Sequence, residues 1–130
     1  MILYRVLAYD SSAAPGSIGS VDYIHHSAGQ GRLDNPTEYT CLYLAESPAG
    51  AIGESFQNLA IWSDGMFQTP YLPTGKRALA HFSVPDRLAV LDLDDPRNLL
   101  DNALRPTQVV SPVRTETQSW ALRLFREPAL

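Results

Sequence analysis

Residues 42–56, LYLAESPAGAIGESF, contain the two local signals on which the predicted fold depends. The apolar and aromatic run from Tyr39 to Ala45 predicts a strand, because such side chains favour a pleated, half-buried surface. Ser47 and Pro48 follow it directly, and a serine cap with proline at the first helical position is a typical helix start. The stretch therefore predicts a strand that leads straight into a helix.

The predicted helix carries one carboxylate away from its apolar face. Ala49, Ile52 and Phe56 fall on a single stripe at helical spacing. Glu54 lies off that stripe, next to Gly53, in a helix with few other charges. Two interpretations are open, namely a solvated helix face and a carboxylate that takes part in chemistry.

A further strand is predicted from Ile2 to Tyr9, with Arg5 in its middle. The run is too short for an amphipathic helix and ends at polar residues. A guanidinium at a central strand position is costly unless it finds an anionic partner. Arg5 therefore either faces water from an edge strand or is held by the sheet toward a phosphate or carboxylate, which its planar fork suits.

The remaining chain completes an α+β pattern. Strands and helices do not alternate regularly, which argues against a doubly wound parallel sheet. A long loop is predicted over residues 11–37, and long loops in small domains are often functional. The other predicted elements are a loop at 63–76, strands from Ala78 to Val84 and from Leu88 to Leu93, a short helix opened by Asp95-Pro96, and a last helix opened by a capping box at Thr115 and Gln118.

Length and charge limit the class of protein. The chain has 130 residues, the size of one domain, and a net charge of −4. No basic run is present, so neither a nucleic-acid patch nor a membrane patch is predicted, and no apolar stretch approaches the roughly 18 residues of a membrane span. Arg5 and Asp10 argue against a signal peptide. The single Cys41 cannot form an internal disulfide and is expected to be a buried thiol, so we expect a cytoplasmic protein.

Other polar residues could carry chemistry. Arg32 follows Gly-Gln-Gly at 29–31, where glycine lets the backbone approach a ligand closely, although an exposed loop arginine explains this pattern better by itself. Tyr43 fits a core position as well as a ligand contact. The pair His25 and His26 lacks a third ligand at a recognisable spacing, so no metal site is expected.

Taken together, several segments resemble the RES domain, the toxin component of RES–Xre toxin–antitoxin pairs. LYRV at 3–6 resembles the family's opening Tyr-Arg strand, and GRLDNP at 31–36 resembles its Gly-Gly-Arg-Trp-Asn-Pro segment. LYLAESP at 42–48, followed by Glu54, resembles its Leu-Tyr-Leu-Ala-Glu-Ser block with the family glutamate on the next helix. Later family segments are matched by VLDL at 90–93 and TQSW at 117–120. The resemblance thus covers nearly the whole chain.

The resemblance implies a compact single domain similar to bacterial ADP-ribosyltransferase toxins, with a mixed sheet and short helices. It also implies an enzyme that consumes NAD, by phosphorolysis or hydrolysis of the nicotinamide–ribose bond or by transfer of ADP-ribose to a protein. By position, Glu54, Arg32 and Tyr43 would be the catalytic residues. Arg5, Arg32, Tyr43 and Thr117 would bind NAD, which is a substrate here, and no metal is implied.

Two departures from the family pattern stand out. Leu33 takes the place of the aromatic residue that often follows the family arginine. The sequence stops at Leu130, where family members usually continue into another strand that carries the family serine. We therefore expect that strand to be missing, with Thr117 or Ser119 supplying a hydroxyl group, and either a trimmed fold or reduced activity.

Partners and an alternative function follow from the same resemblance. An Xre-type antitoxin is the expected protein partner, and a protein acceptor of ADP-ribose is a further one if transfer is the reaction. The lack of a basic patch implies that any DNA binding belongs to the antitoxin. The alternative is a catalytically weak RES-like domain whose main role is complex formation, with Trp62, Met66 and Phe67 as a candidate contact surface.

Overall fold

A computed structural model describes residues 1–24, 29–59, 61–69, 72 and 74–127. The chain divides into two units, of which unit 1 comprises Met1–His25 and Leu42–Asp86, and unit 2 comprises His26–Cys41 and Arg87–Leu130. Unit 1 contains the sheet and one helix, and unit 2 is helical. The α+β class predicted from the sequence is confirmed.

The sheet of unit 1 is built from β1 (Ile2–Tyr9) and β2 (Lys76–Ser83), which pair antiparallel from Ile2↔Ser83 to Tyr9↔Lys76. The bounds of β1 are those predicted, and β2 begins two residues before the predicted strand. Among the described residues the sheet has these two strands alone, so it is smaller than the expected mixed sheet.

The two faces of this sheet differ in chemistry. Side chains directly opposite each other in an antiparallel pair lie on the same face, and successive residues alternate between faces. Arg5 and Leu7 therefore share a face with their partners Ala80 and Ala78, and this face is called the Arg5 face. The opposite face, called the Tyr4 face, carries the side chains at strand positions 4, 6, 8, 77, 79 and 81.

Helix α1 (Pro48–Phe56) begins where the sequence predicts. Ser47 is the N-cap, its hydroxyl oxygen accepts from the Gly50 backbone N–H at 3.0 Å, and Pro48 is at the first helical position. Of the predicted stripe, Phe56 is buried and Ile52 half-buried, whereas Ala49 is exposed and Ala51 is buried instead. A short 3₁₀ helix at Asp64–Phe67 follows and packs its phenylalanine edge-on against Phe56, with ring centroids 5.5 Å apart.

Two predicted strands do not form. In the segment from Tyr39 to Ala45, only Ala45 pairs with another strand, through an isolated bridge to Tyr4. The segment passes from unit 2 to unit 1 between Cys41 and Leu42, so its two halves pack in different surroundings. The prediction of a continuous strand there is therefore wrong.

The predicted strand from Leu88 to Leu93 is also wrong. Its apolar residues do not meet another strand; Leu91 and Leu93 pack instead against the helical core of unit 2. Val90 between them is 70% exposed. An alternating apolar pattern buries one face of a segment equally well against helices as against a sheet, and periodicity alone does not separate the two.

Unit 2 is formed by three helices, α2 (Pro96–Asp101), α3 (Pro106–Val109) and α4 (Arg114–Arg126). The predicted cap of α2 is confirmed, because the Asp95 carboxylate accepts from the Arg97 backbone N–H at 2.9 Å. Helix α3 was not predicted. Helix α4 was predicted, but it begins at Arg114 with Val113 as N-cap, so the capping box is wrong. The apolar core of unit 2 consists of Leu99, Leu104, Trp120, Ala121 and Leu124.

Two further features concern the burial of Cys41 and the length of the helices. Cys41 is half-buried rather than buried. None of the described helices has the length and apolar character that crossing a bilayer requires.

Glycines in unit 1 give a paired stability prediction. A Cβ at Gly75 would lie 2.5 Å from the backbone carbonyl oxygen of Tyr9, whereas a Cβ at Gly53 would meet nothing within 4 Å. We expect Gly75→Ala to destabilise the protein by about 1–3 kcal/mol through forced backbone displacement. Gly53→Ala, inside α1, should stabilise it by about 0.5–1 kcal/mol. Chemical denaturation of both variants checks this, and equal midpoints would contradict the close approach at Gly75.

Candidate functional site

Arg5 and Tyr43 are brought together in unit 1. Two backbone hydrogen bonds of 2.8 Å each, between Tyr4 and Ala45, hold the Tyr43 segment along the edge of β1 opposite β2. The Arg5 guanidinium reaches this edge and donates from Nη1 to the Tyr43 carbonyl oxygen at 3.1 Å. Arg5 is half-buried, while the Tyr43 side chain is 41% exposed. The arginine is therefore oriented by the backbone beside an accessible aromatic ring.

Helix α1, which carries Glu54, lies over the face of the sheet that is opposite to the Arg5 face. A Cβ at Gly50 would lie 3.4 Å from the Ala45 Cβ, and Ala45 pairs with Tyr4. The Arg77 guanidinium, on the Tyr4 face, lies 5.6 Å from the Phe56 ring centroid. Both contacts place α1 over the Tyr4 face, whereas Arg5 belongs to the opposite face.

Glu54 is exposed, and no side-chain hydrogen bond or ion pair in the described part of the chain involves its carboxylate. The structure thus does not join Glu54 to Arg5 or Tyr43 directly. The exposed position of Glu54 is compatible with both interpretations, a solvated helix face and a carboxylate that takes part in chemistry.

Arg32 is fixed in unit 2 by the end of a helix. Its Nη2 donates to the carbonyl oxygen of Val109, the last residue of α3, and lies 3.4 Å from the Ser111 carbonyl oxygen. A cation at a helix C-terminus is favourable, because the final carbonyl groups lack helical partners. Arg32 is nevertheless exposed, so part of its guanidinium faces solvent.

Thr117 holds the Arg32 segment from α4. Its side chain is fully buried, and its hydroxyl lies 2.5 Å from the Arg32 carbonyl oxygen and 3.2 Å from that of Arg114. A group with no exposed surface cannot touch a ligand in this arrangement. The geometry therefore gives Thr117 a positioning role behind Arg32.

Sequence reasoning missed the polar clamp around the same segment. Gln118 donates from Nε2 to the carbonyl oxygens of Gly29 and Gly31, at 2.8 Å each. Asn35 donates to the Gln118 carbonyl oxygen at 2.9 Å. The buried Asp34 carboxylate accepts from the Gly31 backbone N–H at 2.7 Å. Both Asn35 and Gln118 lie in segments that resemble the family, which was the available signal, but only their contact reveals the clamp.

Tyr39 closes this clamp. Asn35 also donates to the Tyr39 hydroxyl at 2.9 Å, and that hydroxyl donates to the Leu33 carbonyl oxygen. Burial raises the pKa of the Tyr39 hydroxyl above its usual range, while the bond from Asn35 opposes the shift. The group stays protonated at neutral pH, so the bond to Leu33 persists there.

No metal centre is found among the residues that the structure describes, since they contain no cluster of three potential protein ligands. His25 and His26 lie outside the described residues.

The family model of the RES domain matches residues 2–130, and the chain belongs to this family. RES domains occur in the toxins of RES–Xre toxin–antitoxin pairs, and the family is associated with NAD-related enzymatic activity and with an antitoxin partner. Comparison with curated proteins and with solved structures found no match.

The segments that carry the resemblance contact one another within each unit. In unit 1, residues 3–6 pair with residues 42–48 through the bridge and the Arg5 bond. In unit 2, residues 31–36 are held by residues 117–120 through hydrogen bonds.

Thr117 provides a test of the clamp. We expect Thr117→Val to destabilise the protein by about 1–3 kcal/mol, because the Arg32 carbonyl oxygen loses its buried donor while the volume is nearly kept. Thr117→Ser retains the hydroxyl and should cost less. Thermal melting of the two variants is the measurement. A valine variant as stable as the serine variant would show that the hydroxyl does not hold the Arg32 segment.

Proposed function

We propose that the chain is a toxin that cleaves NAD at the nicotinamide–ribose bond. The observation that carries the proposal is the hydrogen bond from Arg5 to the Tyr43 carbonyl oxygen, which joins two residues at family positions in a chain that belongs to the RES family. The ADP-ribose product goes to phosphate, to water or to a protein acceptor, and these three outcomes share the same bond-breaking step. NAD is the substrate.

Glu54 acts on the ribose that leaves nicotinamide. When the bond to nicotinamide breaks, its electron pair departs with the neutral nicotinamide ring, and the ribose becomes oxocarbenium-like. A nearby carboxylate stabilises that positive charge and orients the 2′-hydroxyl, as carboxylates do in glycoside cleavage. The exposure of Glu54 on α1 leaves its carboxylate available to a substrate.

Arg5 and Tyr43 bind the substrate at the edge of β1. A guanidinium that donates one N–H to a backbone carbonyl has four other N–H donors. Its planar, forked geometry suits the oxygens of a pyrophosphate. The Tyr43 ring, accessible at the edge of β1, packs against nicotinamide. The contact with the Tyr43 backbone supports the interpretation of Arg5 as a held, anion-binding arginine.

Arg32 contributes a second phosphate contact in this proposal. Its Nη2 is occupied by carbonyl oxygens at the end of α3, which fixes the plane of the guanidinium and leaves its other donors for a ligand. Thr117 and Gln118 position its backbone. The family resemblance, rather than a contact with Arg5 or Glu54, assigns it to NAD.

An Xre-type antitoxin is the proposed inhibitor, and the cytoplasm is the proposed site of action. A carboxylate of the antitoxin would compete with the NAD phosphates for Arg5 or Arg32. Trp62, which is 52% exposed, is the most accessible part of the candidate contact surface. If the purified chain binds an antitoxin and leaves NAD intact, the alternative of a catalytically weak binding domain replaces the toxin proposal.

Glu54→Gln tests the catalytic assignment. The amide keeps the size and removes the charge, so we expect the rate of NAD loss to fall by about 100-fold or more with the fold unchanged. Asp101→Asn, which neutralises an exposed carboxylate at the end of α2, is the matched control and should consume NAD normally. Full activity in a folded Glu54→Gln protein would remove Glu54 from the mechanism.

Arg32→Lys tests whether geometry or charge matters. Lysine keeps the charge but not the planar fork, so Arg32→Lys and Arg32→Ala should each weaken NAD binding about 10-fold or more. Melting temperatures are recorded alongside calorimetric affinity, because Arg32 also caps α3. Arg97→Lys, at an exposed arginine, is the control. Near-normal affinity in the lysine variant alone would mean that only charge is required.

A further inference from the structure

An open groove with a cavity volume of about 500 Å³ lies in unit 1, outside the residues assigned so far. Its floor is formed mainly by residues of the Arg5 face, namely Leu7, Ala78 and Ala80, with Tyr9 at one end. Leu79 and His81 of β2 also line it. Alanine side chains on neighbouring positions leave a flat apolar surface, and a groove of this volume is in the range that accommodates small ligands. The floor therefore suits a planar, uncharged ring.

The wall of the groove is a loop that hydrogen bonds hold in place. The Asp10 carboxylate accepts from the Ser12 backbone N–H at 2.9 Å and from the Thr74 hydroxyl at 2.6 Å. The Asp10 backbone N–H donates to the Gly19 carbonyl oxygen at 2.9 Å, which closes the loop. Hydrogen bonds from Thr74, and then from Ser12, lower the pKa of Asp10, so the carboxylate is charged at neutral pH. The groove is thus formed before any ligand enters.

Charge and position select which part of NAD fits. Asp10 lines the groove and repels phosphate, so the phosphates must lie outside it. Arg5 is directly opposite Ala80 of the floor in the sheet register, and its guanidinium extends away from β2 to Tyr43. Across the sheet the order is therefore groove, Arg5, Tyr43. In NAD the pyrophosphate separates the adenosine from the nicotinamide riboside, which matches an arginine between two ring-binding places.

We propose that this groove binds the adenine ring of NAD, with the pyrophosphate at Arg5 and the nicotinamide end at Tyr43. The proposal rests on the proposed NAD-cleaving function for the direction of the substrate. Glu54 supports the same direction, because α1 lies over the Tyr4 face, whereas four of the six strand residues that line the groove belong to the Arg5 face. The ring in the groove is thus the one remote from the bond that breaks.

Adjacent alanines of the loop allow a matched test. Ala13 lines the groove, and Ala14 is exposed and does not. Ala78 lines it from the floor and is only half-buried. We expect Ala13→Leu and Ala78→Leu to weaken binding of adenosine monophosphate to the full chain about 10-fold or more by filling the groove, with Ala14→Leu unchanged. Binding of nicotinamide mononucleotide, measured by the same calorimetry, should be unchanged in all three.

A second measurement needs no variant. In the wild-type chain with labelled methyl groups, nuclear Overhauser effects from adenine protons to the Leu7 methyls are expected. Any of three results would overturn the proposal. The wild-type protein does not bind adenosine monophosphate, the groove variants bind it normally, or the variants lose only the binding of nicotinamide mononucleotide.

An NAD-consumption assay separates this proposal from the function. If the wild type consumes NAD and the KM for NAD is the same in Ala13→Leu and Ala78→Leu, the proposed function stands and the assignment of the groove to adenine is wrong. If adenosine monophosphate binds in the groove but NAD is not consumed, the groove stands and the cleavage activity is wrong.

Discussion

Two backbone hydrogen bonds between Tyr4 and Ala45 connect the first strand to the segment that precedes α1. Residues 41 positions apart in the chain are thereby held side by side, and two features follow from that contact. It places the Tyr43 carbonyl within reach of the Arg5 guanidinium. It also sets where α1 starts, because Ser47 caps the helix two residues after the bridge.

Both arginines of interest are oriented by backbone carbonyl groups rather than by carboxylates. Arg5 donates to Tyr43, and Arg32 donates to the end of α3. A carbonyl oxygen fixes the direction of a guanidinium without neutralising it, whereas an ion pair with Asp or Glu would offset the charge that a phosphate needs. The ion pairs among the described residues use other cations, including Arg123 and Arg126. Neither Arg5 nor Arg32 forms an ion pair with a described residue, so both guanidinium groups keep their full charge.

In unit 2 the buried face of α4 makes two kinds of contact. Trp120 and Leu124 belong to the apolar core, while Thr117 and Gln118 bind the backbone of the segment around Arg32. These side chains of the helix satisfy carbonyl groups that an irregular loop cannot pair by itself, and they fix the loop backbone to α4. The stability of the helical core and the position of Arg32 are therefore linked.

The sequence by itself determined the features that depend on neighbouring residues. The bounds of β1, the Ser47 cap with Pro48, and the Asp95 cap with Pro96 follow from local rules, because a cap is satisfied within three residues of its own position. The family segments also pointed to Arg5, Arg32, Tyr43 and Glu54, although not to how they are arranged.

Only the tertiary structure decided the features that depend on distant partners. Apolar runs at 39–45 and 88–93 have the composition of strands, but a strand exists only where another strand pairs with it, and only Ala45 finds such a partner. Asn35 and Gln118, 83 positions apart, form the clamp because the chain folds them together. Thr117 was expected to bind a ligand, and packing buries it completely. Burial and pairing are properties of the surroundings, which local sequence does not contain.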